Sequence, residues 1–129
     1  MAALQIVERQ VDDVTVLDLW GQITIGEASE TLRATIKELI EKGRRHVLLH
    51  LGGVRQVDSS GLGSLVAVYT ALQKGGGDLK LVQLSERLED LMVMTKLVTV
   101  FETYKDEAVA IKSFLPKAER IEATGQSPT

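Results

Sequence analysis

The sequence predicts an α/β domain: a small mixed β-sheet of four to five strands with about four helices packed against it. Three observations carry this expectation. Apolar residues recur at helical spacing in some stretches and alternate or run continuously in others, which gives the order β-β-α-β-α-β-α-β-α. The first two strands are separated by a short turn, so they pair as an antiparallel hairpin. The later strands are separated by helical stretches, and strand–helix–strand units pair in parallel through right-handed crossovers. Helices laid on such a sheet close its core.

Residues 4–8 and 14–20 read as the opening strands, with Asp12-Asp13 as the turn between them. In the second strand Val14, Val16 and Trp20 alternate with Thr15, Leu17 and Leu19, and Asp18 is its single charge. Residues 21–26 read as a connection. The first helix is expected over 27–42, where Leu32, Ile36, Leu39 and Ile40 make one apolar stripe and Gly43 suits the helix end. Residues 46–51 are nearly continuous apolar sequence, as in a central strand covered on both faces. Residues 52–57 are expected to form a loop. The next helix, 62–74, carries Leu62, Leu65, Val66, Tyr69 and Leu72 at helical spacing and stops at the Gly75-Gly76-Gly77 run. A strand is expected over 79–84, then Ser85 as N-cap of a helix over 86–95, then a short edge strand over 98–103. Asp106 can cap a last helix reaching Phe114, with Val109, Ala110 and Phe114 inward and Pro116 as its stop. Residues 1–115 thus form one domain. From Lys117 onward the chain loses periodicity and gains Gly, Ser and Pro, so 116–129 reads as a flexible tail.

Composition narrows the function. A chain of 129 residues is long enough for a real core. Its hydrophobic content of 44% with 26% charged residues fits a soluble globular protein, and the 4% aromatic content makes the core aliphatic. A formal charge of −3, with no basic cluster beyond Gly43-Arg44-Arg45-His46, argues against direct nucleic-acid binding. The absence of cysteine removes disulfide and thiolate chemistry and fits a reducing cytoplasm. The first residues lack a signal-peptide pattern, and no apolar run approaches the roughly 20 residues that span a bilayer, so no membrane insertion is expected.

Few side chains suggest chemistry. His46 and His50, four apart on one strand, would lie roughly 13 Å apart at about 3.3 Å per residue, too far to share a metal unaided. No metal and no cofactor is expected. Gly61-Leu62-Gly63 is no dinucleotide fingerprint, because Val66 stands where a third small residue belongs, and the Gly-Lys-Ser/Thr ending of a P-loop is absent. The stretch Asp58-Ser59-Ser60-Gly61-Leu62-Gly63 is different: it sits where the chain enters a helix. Asp58 or Ser59 can act as N-cap, a role worth about 1 kcal/mol. Three potential caps in a row leave at least one side chain free, and the small neighbours leave it accessible. A phosphate there would add about −1.5 to −2 charges at a helix N-terminus, where exposed N–H groups favour an anion.

This motif, with the strand 46–51 before it and Gly76 and residues 79–82 after it, resembles the STAS domain of bacterial anti-sigma factor antagonists, over roughly residues 4–115. The resemblance implies a STAS-like fold. It implies that Ser59 is phosphorylated by a serine kinase that is also the anti-sigma factor, with Asp58 as the motif's acid and Ser60 as its second hydroxyl. The unphosphorylated protein would bind that kinase and release a sigma factor; phosphorylation would break the complex and a serine phosphatase would restore it. The protein would be a substrate, not an enzyme, in the cytoplasm, as a monomer or weak dimer. Family members often carry Gly-Glu-Leu/Ile-Asp after the second strand; here Gly21-Gln22-Ile23-Thr24 is neutral at both acidic positions. The expected docking face comprises Gln22, Thr24, Gly26, Asp58, Ser59, Ser60, Gly61 and Leu62 and the helix start near Ser85. Met92 and Met94 either join that face or pack in the core. The alternatives are a STAS subunit of a lipid-transport or stress-signalling assembly, and a small nucleotide-binding enzyme, for which the sequence offers no chemistry.

Overall fold

A computed structural model describes residues 4–115. Strands β1 (Leu4–Val11) and β2 (Val14–Ile23) form an antiparallel hairpin, turning at Asp12 with φ 55°. Strands β3 (His46–Val57), β4 (Asp78–Val82) and β5 (Thr103–Tyr104) join in parallel, in the order β1-β2-β3-β4-β5. Helices α1 (Glu27–Glu41), α2 (Ser59–Lys74), α3 (Glu86–Met94) and α4 (Glu107–Lys112) complete the domain. The predicted mixed sheet and element order hold; the expected tail, 116–129, lies outside the described residues.

The sheet buries two unequal faces. Leu17, Leu19 and Ile23 of β2 pack with Leu32, Ile36 and Leu39 of α1 and Leu65, Val68 and Leu72 of α2 in one large core. Alternate residues Val14 and Val16 pack on the other face with Leu48, Val82 and Ala110 of α4. The period of two along β2 produces this division.

Several local expectations needed tertiary correction. Residues 52–57 are not a loop: β3 continues to Val57, pairing Gly53 with Trp20 and Val57 with Ile23. The reason is that β2 also runs past Trp20 to Ile23, so only 24–26 remain as connection and the longer neighbour supplies backbone partners. Gly53 looks like a turn signal but is a steric allowance, because a Cβ there would lie 2.2 Å from the Trp20 ring. Likewise α2 begins at Ser59, not Leu62, and β1 runs on to Val11. The expected edge strand over 98–103 is largely replaced by a 3-10 turn, Leu97–Thr99, entered through Lys96 in the left-handed region (φ 64°). Only Thr103 and Tyr104 pair, with Leu81 and Val82; the Gln83 N–H still donates to the Tyr104 carbonyl at 2.9 Å, but Gln83 lies in the left-handed region (φ 63°) and ends β4 there. Helix α4 stops at Lys112, short of Phe114, and Val109 faces solvent while Ala110, Ile111 and Phe114 face the sheet.

Candidate functional site

The start of α2 is built around Asp58, which resolves the choice among the three potential caps. Its backbone is extended (φ −94°, ψ −177°), and its Oδ1 accepts the Gly61 N–H at 2.7 Å. Its carbonyl accepts the Leu62 N–H at 2.9 Å. Oδ2 accepts the Ile25 N–H at 3.2 Å, and the Asp58 N–H donates to the Ile23 carbonyl at 3.3 Å. One side chain thus caps the helix and pins the β2–α1 connection beside it. With this role taken, Ser59 is the first helical residue and its side chain is exposed. Ser60 is half-buried, and its carbonyl accepts the Ser64 hydroxyl at 3.1 Å.

Gly61 and Gly63 differ sharply. A Cβ on Gly61 would lie 1.8 Å from the Ile23 carbonyl oxygen, so the close approach of α2 to β2 requires glycine. A Cβ on Gly63 would meet nothing within 4 Å. Gly61 and Leu62 are buried. They set the height and angle of the surface from below and do not line it.

The structure brings the β2–α1 connection, residues 24–26, against this helix start through the Asp58–Ile25 bond. Gln22 is half-buried and pairs with Gln56 at the strand ends. Thr24 is half-buried and its carbonyl accepts the Ser29 hydroxyl at 2.9 Å; Gly26, with φ 95°, is exposed at the start of α1. Ser85 caps α3 by accepting the Leu88 N–H at 3.1 Å. Ile25, within the stretch 22–26 expected on the docking face, is 76% exposed next to the motif. Its signal was a large aliphatic residue inside a short connection, where burial is not available.

Open depressions lie on both sides of the motif. One, of about 520 Å³, is lined by Ile25, Gly26, Ser29, Glu30, Arg33, Ser60, Gly63 and Ser64. The other, of about 720 Å³, lies between the end of β3 and α3 and is lined by Gln56, Val57, Glu86, Arg87, Asp90, Leu91 and Met94. Each carries an arginine and an exposed apolar side chain, a combination suited to protein contact. Met94 is exposed and Met92 is buried in the core, which separates the two thioethers.

Away from this end, Asp18, His50 and Glu107 place ligand-type atoms within 4.8 Å of one another. Their carboxylates are engaged by Arg9: Nε and Nη2 donate to Asp18 at 2.6 and 2.9 Å, and Nη2 and Nη1 donate to Glu107 at 2.6 and 3.3 Å. These bonds, to Asp18 above all, raise the guanidinium pKa beyond its already high value. The cluster therefore serves as an ion-pair clamp. The sequence did not suggest it because its members come from four elements. His46, the other strand histidine, packs on Phe114 at 5.3 Å between ring centres. Nearby, burial raises the Asp78 carboxyl above its usual range, with Lys80 opposing. No helix among the described residues is long and apolar enough to cross a membrane.

Residues 5–110 match the STAS domain family. The anti-sigma-B factor antagonist of Bacillus subtilis (strain 168) is 34% identical over 96 residues, covering 74% of this chain and 85% of that protein. Two solved structures share the fold. An anti-sigma factor antagonist from Mycobacterium paratuberculosis superposes with a TM-score of 0.72 at 22% identity, over 85% of this chain and 92% of that one. The Bacillus cell fate determinant SpoIIAA in its phosphorylated form does so with a TM-score of 0.68 at 21% identity, over 86% and 100%.

Proposed function

The chain belongs to the STAS domain family of anti-sigma factor antagonists, and on that premise we propose that it is a protein-binding switch controlled by phosphorylation at Ser59. In its unphosphorylated form it binds an anti-sigma factor serine kinase, which then releases a sigma factor. The observation that carries this reading is the division of labour at the helix start: Asp58 caps α2, so the exposed Ser59 hydroxyl is not needed for folding.

In the kinase complex, Ser59 Oγ attacks the γ-phosphorus of ATP. The new O–P bond forms as the bond to ADP breaks, and the hydroxyl proton passes to a base on the kinase. A phosphatase returns the serine by hydrolysis with water. The protein supplies the acceptor and the docking surface; it is a substrate and uses no cofactor of its own. The added phosphate, about −1.5 to −2 charges, sits at an N-terminus whose N–H groups favour anions, so the fold survives. The same charge at the centre of the docking surface costs desolvation and repels acidic groups of the partner, so the complex separates. The expected docking residues are Gln22, Thr24, Gly26, Asp58, Ser59 and Ser60, with Gly61 and Leu62 holding them in place. The functional unit is residues 1–115, acting in the bacterial cytoplasm.

The test uses wild type, Ser59→Ala and Ser59→Asp as baits in extract of the native cells, with phosphopeptide mapping of the wild-type protein. The expected result is phosphate on Ser59 and an ATP-binding serine kinase retained by wild type and Ser59→Ala and released by Ser59→Asp. Phosphate elsewhere, or equal capture of transport or scaffold proteins by all three, would replace the switch with a constitutive STAS subunit.

A further inference from the structure

We propose that α4 is a strap: a short helix held on the sheet mainly by a polar clamp at each end, which opens locally while the rest of the domain stays folded. This rests on the back face of the sheet and is independent of the Ser59 reading.

Helix α4 has six residues, well below the roughly 12–15 at which an isolated helix becomes even marginal, so its helicity depends on what holds it down. Apolar packing from the helix itself supplies little, and Phe114 just beyond its end adds one ring against His46. Ala110 is its one fully buried apolar residue, Ile111 is partly buried and Val109 faces solvent. By contrast, α1 buries Ala28, Leu32, Ile36 and Leu39.

The ends are held by charge. At the first turn, Glu107 accepts from Arg9 of β1 at 2.6 and 3.3 Å, and Arg9 is anchored by Asp18 of β2. Just past the last turn, Lys80 Nζ donates to the Ser113 carbonyl at 2.8 Å and its Oγ at 2.9 Å, and lies 4.7 Å from the Phe114 ring centre. Lys80 is only 4% exposed, so its ammonium has been taken out of water. Polar clamps differ from apolar packing in how they respond to opening. When the strap lifts, Lys80 and Glu107 regain hydration, which offsets much of the lost attraction. The Arg9 end is also screened by salt, since the Arg9 side chain is 38% exposed.

Beneath the strap lie Val14, Val16, Leu48 and Val82, all nearly inaccessible. On the same face, β2 continues from Asp18 to Trp20, and Val7 pairs with Asp18; Trp20 and Val7 are already about half exposed. The Arg9–Asp18 pair and His50 lie between these two residues and the cluster, so opening exposes a second, separate apolar surface. An element with few buried contacts and polar attachments belongs to the low-stability end of a domain.

Amide hydrogen exchange of the full chain tests this. Ala110 and Ser113 donate helical N–H bonds to Asp106 and Val109, and they report on the strap. They are expected to exchange faster than the interior amides of α2. Arg9→Met is expected to speed them by about tenfold, the loss of a charge-assisted bond, with α2 unchanged. Glu107→Gln, which leaves the Arg9–Asp18 pair intact, is expected to act in the same direction and keeps the test informative should Arg9→Met fold poorly. Added salt is expected to speed wild-type α4 amides selectively. Strap amides that exchange with α2 as one unit, or a Glu107→Gln variant that accelerates all helices alike, would overturn the proposal.

Discussion

The two faces of the sheet are stabilised by different physics. On one, α1 and α2 interlock aliphatic side chains with Leu17, Leu19 and Ile23 in a large continuous core. On the other, a small cluster of Val14, Val16, Leu48, Val82 and Ala110 is closed by α4, held by an ion pair at one end and by hydrogen bonds from the Lys80 ammonium at the other. The proposed switch at Ser59 stands on the first turn of α2, which buries Leu62, Leu65, Val68 and Leu72 in that core, yet its own side chain is exposed. Charge added there is therefore expected to leave the domain intact.

The largest expected effect tests the contrast directly. Leu65→Ala, at a fully buried position of α2, is expected to cost about 2–5 kcal/mol in chemical denaturation. Ile111→Ala, at a partly buried position on α4, should cost far less. Equal costs would break the comparison.

Next in size is Gly61→Ala. The new methyl collides with the Ile23 backbone, and overpacking of this kind costs about 1–3 kcal/mol. A wild-type melting temperature would show that α2 can shift outward freely, against the view of a rigid front face. Asp58→Ala should follow, at about 0.5–2 kcal/mol for the lost cap. Because Oδ2 also holds Ile25, the same variant should raise exchange of the Ile25 amide, which loss of a simple cap would not do.

Gly63→Ala should go the other way. It gains helix propensity, about 0.8–1 kcal/mol, with nothing in its path. If it also weakened binding of the proposed kinase in the bait assay, this glycine would be serving the partner's approach. The smallest effect is expected for Ser59→Asp: an unchanged circular-dichroism spectrum and a stability within about 0.5 kcal/mol of wild type, as for exposed positions generally. A molten spectrum would contradict the claim that the site tolerates charge.

Much of the fold was legible because its signals are local. The i, i+4, i+7 stripe of Leu32, Ile36 and Leu39 marks α1 wherever that segment is placed. Capping chemistry at Ser85 and Asp106 marks the starts of α3 and α4, and both caps are made. The motif itself was visible as a cluster of caps at a helix entrance. Its boundaries were less legible: Gly52-Gly53 carries the composition of a turn, and only the parallel neighbour β2 and the bulk of Trp20 make it strand. At the site, sequence reasoning grouped residues 58–62 as one surface, whereas Gly61 and Leu62 turn inward and Ile25 turns out.

By itself the sequence determined the element order, the aliphatic character of the core and the motif that identifies the family, since each follows from residues within a turn or two of one another. Tertiary structure decided which of three adjacent caps would be used, which glycine of two would be indispensable, and which charges would meet. Asp58 is committed because Ile25 arrives from 33 residues away to share it. Arg9 finds Glu107 across 98 residues only once the hairpin and α4 lie on the same face. The physical reason is range: propensity and periodicity act between near neighbours along the chain, whereas desolvation, steric clearance and ion pairing depend on what the assembled sheet brings into contact.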